Sequence, residues 1–359
     1  MAFIILVSIY SALIIVLAFG FARLGDVSDP KTGEFHFISV IVPVRNEETL
    51  GDLLEDFSQI DYPAEKWEVI IVDDSDVHLQ LPRVRVVRSP SPGKKAAITA
   101  GIASAKGGII VTTDADCRIN RSWLTEINRA FQNPRIKMMV GGVRITGNES
   151  FFSQLQSLEF VSVAATGAAT IGLGVPTMCN GANLSYRREA FVQVNGYQGN
   201  EHISSGDDEF LMNKFTGRWK GSVKFLYSAQ AVVTTSPLPT VSTFIQQRLR
   251  WAGKWKHNIS WSTRVFAMVV WLFHLGLILM PAAAAAGFIT WRLFFILAGA
   301  KIFVESLFLL PAANFFGVRW RWISFLVLQL IYSFYVISIG LMSQILLPEW
   351  KGRAVETKV

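Results

Sequence analysis

The sequence predicts an α/β domain with a mainly parallel β-sheet, joined to membrane-spanning α-helices. Hydrophobic residues make up 51% of the 359 residues and charged residues only 17%, whereas a soluble domain carries about 25% charged residues. Long apolar segments lie near both ends of the chain. Between them, short apolar runs rich in β-branched residues alternate with helical stretches, which is the pattern of βαβ units.

The N-terminal apolar segment favours a membrane anchor that is not cleaved. Residues 3–20 carry no charge, and no basic residue precedes Arg23, whereas a signal peptide begins with a basic region. Arg23 and Lys31 follow the segment, so the positive-inside rule places the next domain in the cytoplasm. The predicted parts are an anchor over 1–24, a soluble domain over 25–262, and about three transmembrane helices with a short tail over 263–359.

The C-terminal apolar segments predict further membrane helices. Residues 265–290 and 322–347 contain no charged side chain, and 293–318 contains Lys301 and Glu305. On a helix these two side chains are i and i+4 and can form an ion pair, with either a structural or a functional role. Three spans would put the basic tail outside, against the charge rule, so one segment is alternatively interfacial or re-entrant.

The overall charge and the cysteines restrict the classes of partner. A net charge of +7 suits nucleic acid or an anionic membrane surface. With this much apolar sequence we expect the membrane and no nucleic acid. Cys117 and Cys179 are the two cysteines, too few for a disulfide framework or a cysteine zinc site, which fits a reducing compartment.

The soluble part contains the strands and helices of a parallel sheet. The predicted strands are 38–44, 69–72, 84–87 (at an edge) and 109–113, and the predicted helices are 47–60, 94–106, 121–132 and 241–256. In such sheets ligands bind beyond the carboxyl ends of the strands.

Carboxylates directly follow two of the predicted strands, where such a sheet binds its ligands. They are Asp73 and Asp74 after one run, Asp114 and Asp116 after a later run, and Asp207, Asp208 and Glu209 further on. A single pair could equally be a turn or a helix cap. Clustered carboxylates repel by about 4 kcal/mol per pair at 4 Å and an effective dielectric of 20. The sequence therefore predicts Mg²⁺ or Mn²⁺, held together with substrate phosphates, or raised pKa values.

The helix predicted at 241–256 adds basic and aromatic groups. Gln247, Arg250 and Trp251 share one helical face because they are i, i+3 and i+4. The arginine guanidinium can donate two parallel hydrogen bonds to a phosphate, and the tryptophan ring provides a flat stacking surface. An amphipathic helix at the membrane interface is the alternative, and the two interpretations are compatible.

Taken together, these residues resemble membrane-bound family 2 glycosyltransferases of GT-A fold. That group has a D, DxD, (E/D)D, QxxRW signature and includes cellulose and hyaluronan synthases and ceramide glucosyltransferase-like enzymes. The signature here reads Asp73-Asp74, Asp114-Ala115-Asp116, Asp207-Asp208 and Gln247 to Trp251. The segments VIVPVRNEE at 40–48 and PGKKAAITAGI at 92–102 are also similar. Asp207 stands where many relatives have Glu.

The resemblance implies an inverting, metal-dependent transferase that uses a nucleotide diphosphate sugar, expected to be UDP-linked. The implied roles are Asp73 and Asp74 at uracil and ribose, Asp114 and Asp116 at the metal and diphosphate, Lys94 or Lys95 at the nucleotide, Asp208 with Asp207 as catalytic residues, and Gln247, Arg250 and Trp251 at the diphosphate and acceptor.

The acceptor and the cellular location are expectations of the same kind. The helix at 241–256 runs toward an apolar segment, so we expect a lipid acceptor at the inner leaflet of a plasma or inner membrane. A processive polysaccharide synthase is the alternative. More remote alternatives are an inactive relative and a nucleotide-sugar sensor or transporter without enzymatic activity. His202 either approaches the acceptor or is an ordinary loop histidine.

Overall fold

A computed structural model describes most of the chain. The described residues are 1–25, 33–47, 49–79, 81, 84–147, 149–199, 206–253, 261–346, 349–350 and 353–354. His202, residues 254–256 of the predicted helix and most of the basic tail lie outside this set.

Seven strands form the main β-sheet, and two smaller sheets accompany it. The strands are β1 (Ile38–Val44), β2 (Trp67–Asp73), β3 (Arg85–Arg88), β4 (Ile109–Thr112), β5 (Cys117–Arg118), β6 (Met138–Gly141), β7 (Val143–Ile145), β8 (Leu184–Arg187), β9 (Val223–Leu226), β10 (Val233–Thr235), β11 (Glu349–Trp350) and β12 (Arg353–Ala354). The order in the main sheet is β3-β2-β1-β4-β8-β6-β9, and the small sheets are β5-β10-β7 and β11-β12. The first four strands of this order are parallel, and β8 runs antiparallel to both of its neighbours.

The predicted strands and helices of the soluble part are present. The predicted edge strand is β3, at the end of the sheet order. The helices are α1 (Ala2–Ala22), α2 (Leu50–Ser58), α3 (Lys94–Ser104), α4 (Trp123–Phe131), α5 (Phe151–Gly172), α6 (Arg188–Gln193), α7 (Asp207–Arg218), α8 (Val241–Gly253), α9 (Trp261–Ala285), α10 (Trp291–Phe315) and α11 (Trp322–Ile345). The architecture is a GT-A-like α/β domain with apolar helices before and after it, as the sequence predicts.

Alternate residues of β1 face opposite sides of the sheet, as the two-residue period of a strand requires. Val40 and Val42 are fully buried in a core with Leu53 of α2 and Trp123 of α4. Ile41 is fully buried in the other core, which includes α3 and continues into α1, α5 and the C-terminal helices. One face of the sheet is therefore joined to the apolar helices.

Four of the described helices are long and apolar enough to span a membrane: α1, residues 263–285 of α9, α10 and α11. The 22-residue helix α5 packs against them. At Gly20 of α1 a β-carbon would lie 2.5 Å from the Ala169 carbonyl oxygen of α5, and at Gly172 of α5 it would lie 2.1 Å from the Gly20 carbonyl oxygen. Only glycine at both positions allows the two backbones to approach this closely.

Polar contacts connect the apolar helices to one another. The predicted Lys301–Glu305 pair forms at 3.1 Å in α10, and both side chains are buried. The Tyr10 hydroxyl of α1 donates to Glu305 at 2.5 Å, and Lys301 contacts Gln329 of α11. These contacts pair the buried charges and cross-link three helices. They therefore support a structural role for the ion pair, which is one of the two roles that the sequence left open.

Candidate active site

A single cavity of about 1280 Å³ contains nine of the ten predicted site residues. Those nine are Asp74, Lys94, Asp114, Asp116, Asp207, Asp208, Gln247, Arg250 and Trp251. The cavity begins at the carboxyl ends of β1, β2 and β4 and continues between α5, α9 and α11. The chain therefore brings together side chains that are up to 177 positions apart in the sequence.

The tenth residue, Asp73, points away from this cavity. It is fully buried and accepts hydrogen bonds from the Ser75 and Leu79 backbone N–H groups and from Arg88 at 2.9 Å. Burial alone would raise the pKa of Asp73, but these hydrogen bonds outweigh it and hold the pKa well below its ordinary value. Asp73 thus fixes the turn after β2, and its neighbour Asp74 faces the cavity.

Lys94, the first residue of α3, lies between two of the carboxylates. Its Nζ atom is 2.6 Å from Asp114 Oδ1 and 3.8 Å from Asp207 Oδ2. Burial lowers the pKa of Lys94, but the charges of Asp114 and Asp207 outweigh burial and raise it above its ordinary value. Lys95 instead packs over the Phe210 ring at 5.0 Å, outside the lining of the cavity. Of the two predicted lysines, Lys94 is therefore the one that can reach a ligand.

Asp116 lies in a negatively charged part of the cavity. It is exposed to the cavity, yet the surrounding walls, Asp114 and Glu47 raise its pKa. No group of three or more His, Cys, Asp or Glu side chains suited to a metal occurs among the described residues. Two carboxylates fit Mg²⁺ or Mn²⁺ best when diphosphate oxygens and water complete the coordination shell. Asp114 and Asp116 could hold a divalent cation in that way.

Asp207 and Asp208 begin helix α7, after Gly206 in a left-handed conformation with φ +77°. Asp208 accepts hydrogen bonds from the Gly181 and Glu209 backbone N–H groups at 3.0 and 2.8 Å. Asp207 is buried, and burial together with Asp208 and Asp114 raises its pKa despite Lys94. The fixed, partly exposed carboxylate of Asp208 is the better placed of the two to accept a proton.

Helix α8 brings basic and aromatic groups to the same cavity. Burial lowers the pKa of Arg250, and the charges of Asp114, Asp207 and Asp208 offset part of that effect. Arg250 therefore faces the carboxylates and would face a diphosphate bound between them. Trp251 lies beside Phe160 of α5, with ring centroids 6.1 Å apart.

A buried ion pair that sequence reasoning missed fastens α8 to its neighbours. Arg248 Nε donates to Glu159 Oε1 of α5 at 3.0 Å, and both side chains are 4% exposed. The Tyr335 hydroxyl of α11 donates to the same oxygen at 3.0 Å, and the Arg248 guanidinium lies 4.3 Å from the Trp251 ring. The only available signal was an acidic residue in an otherwise weakly charged helix, and its partner is 89 positions away.

The arrangement is suited to a bound diphosphate and a proton transfer. Carboxylates that attract a divalent cation lie at the carboxyl ends of parallel strands, with Arg250 and Lys94 facing them. The partly exposed carboxylate of Asp208 lies in the same cavity and could accept a proton. A mainly parallel sheet with an acidic site at its carboxyl edge is the arrangement that the resemblance to GT-A enzymes predicts.

Comparison with known proteins agrees with this class. Residues 39–194 match the family described as "Glycosyl transferase family 2". These 156 of the 359 residues are therefore similar to a family 2 glycosyltransferase domain, in agreement with the resemblance of the signature residues. A solved mannosyltransferase from Pyrobaculum calidifontis, in complex with GDP-Man and Mn²⁺, matches with a TM-score of 0.57 at 16% identity over 96% of both chains. That similarity shows that the shared fold includes the apolar helices as well as the α/β domain.

Curated relatives are similar over part of their length. A beta-monoglucosyldiacylglycerol synthase of Synechocystis sp. is 24% identical over 62% of this chain and 49% of the relative. An N-acetylglucosaminyltransferase of Rhizobium meliloti is 23% identical over 60% of this chain and 54% of the relative. The chain thus spans about half the length of these relatives.

Proposed function

We propose that the chain moves a sugar from a nucleotide diphosphate sugar, expected to be UDP-linked, to a membrane-associated lipid. The observation that carries the proposal is the single cavity, which joins the carboxylates at the sheet edge to the apolar helices. The name of the Synechocystis relative, a synthase of a glucosyl lipid, supports a lipid acceptor. The basic residues Arg23 and Lys31 after α1 support a site on the cytoplasmic side.

In this proposal the donor diphosphate lies between Lys94, Arg250 and the Asp114–Asp116 carboxylates. Asp74 contacts the nucleoside end, and its position is fixed by the Gly93 N–H at 3.0 Å. Mg²⁺ or Mn²⁺, when bound by Asp114 and Asp116, would offset the negative charge of the diphosphate. Lys94 and Arg250 are already in place for the charge that develops on the leaving group, so little reorganisation is needed.

Asp208 is the proposed general base. It takes the proton of the acceptor hydroxyl while the oxygen attacks the anomeric carbon. A single in-line displacement inverts that carbon, as in the group that the sequence resembles. The backbone N–H groups of Gly181 and Glu209 fix the Asp208 carboxylate, so that it faces the acceptor in one orientation.

The test of the base is Asp208→Asn in purified protein. Loss of general-base catalysis lowers transfer by about 10²- to 10⁴-fold, and donor affinity measured by calorimetry changes little because Arg250 and Lys94 remain. Asp61→Asn, on the exposed surface, is the matched control and retains full transfer. Transfer by Asp208→Asn at the wild-type rate would show that another group is the base.

A processive polymerase is the second candidate, and the continuation of the cavity among the helices favours it. Against it, the Tyr10–Glu305 contact lies in the lining of the cavity and joins α1 to α10. A growing polymer that passed between these two helices would have to separate this pair. Mass spectrometry of the product distinguishes the two, because single transfer gives one added sugar and polymerisation gives a ladder.

A further inference from the structure

The part of the cavity among the apolar helices has an amphipathic rim. Met268 of α9 and Leu341 of α11 both line the cavity and are 58% and 54% exposed. Arg264 and Gln344, on the same two helices, line it and are exposed as well. Exposed apolar and polar groups in the lining of one cavity suit a molecule that places a polar head inside and an apolar chain outside.

Three charged side chains that line the cavity among the helices, Arg248, Glu159 and Glu305, are already paired. Arg248 is held by Glu159, and Glu305 is held by Lys301. Of the described residues that line the whole cavity, nine carry carboxylates and five carry cations. Lys94 and Arg250 face the carboxylates at the donor end. The described lining therefore favours an uncharged head over an anionic one.

The presence of Asp207 and Asp208 in the cavity also favours an uncharged acceptor. A phosphate acceptor is already ionised at neutral pH and attacks without losing a proton. A hydroxyl group ionises far above neutral pH, so its attack needs a base within hydrogen-bond reach. Asp207 and Asp208 line the same cavity, where adjacent carboxylates assist a hydroxyl and repel a phosphate.

We propose that the cavity between α5, α9 and α11 is the acceptor site, and that it takes a lipid with an uncharged, hydroxyl-bearing head rather than a polyprenyl phosphate. This inference rests on the proposed transfer activity and specifies its acceptor. The hydroxyl loses its proton to Asp208, its oxygen forms the new bond to the anomeric carbon, and the bond from that carbon to the diphosphate oxygen breaks. The electron pair of the broken bond leaves with the nucleoside diphosphate.

The first experiment compares two acceptors in phosphatidylcholine nanodiscs that contain the full chain. One set contains dioleoylglycerol and the other undecaprenyl phosphate, at equal mole fraction, with a panel of UDP- and GDP-sugars and Mn²⁺. We expect a glycosylated product on dioleoylglycerol at least tenfold faster than on undecaprenyl phosphate, by mass spectrometry. Equal rates, or a faster reaction on undecaprenyl phosphate, would overturn the inference.

The second experiment fills the proposed site. Val336→Trp places a large ring in the lining of the cavity, and Leu330→Trp, on the same helix, is the control because Leu330 is 73% exposed and lies outside the lining. We expect Val336→Trp to lower transfer at least tenfold while slow hydrolysis of the donor by water is unchanged. Ala267→Trp with the control Val265→Trp repeats the test from α9.

Different results would overturn the acceptor site and the proposed transfer activity. If Val336→Trp and Ala267→Trp both transfer sugar at the normal rate and donor hydrolysis persists, the assignment of the acceptor site is wrong. The proposed function would stand. Absence of any donor turnover by the wild-type chain, with every sugar nucleotide and either lipid, would overturn the proposed function and this inference with it.

Discussion

The ion pair between Glu159 and Arg248 gives a prediction that can be worked out from the structure. Glu159→Gln leaves the Arg248 guanidinium with its charge, at 4% exposure and without its carboxylate partner. Removing one member of a buried pair costs about 3–5 kcal/mol. A large domain loses roughly 2 °C of Tm per kcal/mol, so we expect a fall of about 6–10 °C. Donor affinity should fall too, since α8 also carries Arg250.

The assay is thermal unfolding in detergent of Glu159→Gln, Arg248→Met and the double variant. The double variant removes both charges, so it should recover most of the stability that Glu159→Gln loses. Arg129→Met, at the exposed Arg129–Glu126 contact, is the control, and its Tm should change by less than about 2 °C because exposed pairs contribute about 0–1 kcal/mol. The reasoning would be refuted if Glu159→Gln had the same Tm as the wild type, or if the double variant had a Tm well below it.

Two further predictions concern stability. Asp73→Asn should cost about 1.5–3 kcal/mol at neutral pH, because it weakens charge-assisted hydrogen bonds such as that from Arg88. The pKa of Asp73 is lowered in the folded state, so the advantage of the carboxylate is present above about pH 4 and declines below it; equal Tm differences at pH 7 and pH 3 would contradict this. Gly20→Ala should destabilise the α1–α5 contact by about 1–3 kcal/mol, because its β-carbon would lie 2.5 Å from the Ala169 carbonyl oxygen. Gly25→Ala, which meets nothing within 4 Å, is the control, and equal melting of the two alanine variants would show that the close approach can relax.

The strands of the parallel sheet could be predicted because each is a short, buried apolar run. β1 is buried at all but one position, β4 is buried at every position, and β2 is buried over its last four residues. The position of the site followed from them, since ligands bind at the carboxyl edge of such a sheet. The long helix α5 was not predicted, because its sequence is apolar at many positions without the strong amphipathic pattern that identifies a surface helix.

Details of the site depended on geometry that the sequence does not contain. Asp73 and Asp74 are adjacent, so their side chains point in opposite directions and only one can face the cavity. Sequence alone could not tell which one, and assigned both to the donor. The role of Arg248 was invisible for another reason: Glu159 and Tyr335 come from distant helices, and their meeting depends on tertiary packing.

The hydrogen bond from Tyr10 to Glu305 joins positions separated by 295 residues. During synthesis the first helix is therefore made long before its polar partner leaves the ribosome. Tyr10 cannot form this hydrogen bond before α10 has been synthesised, and the α/β domain can fold in the meantime. The order of translation thus makes closure of the helix bundle one of the last events in the assembly of this protein.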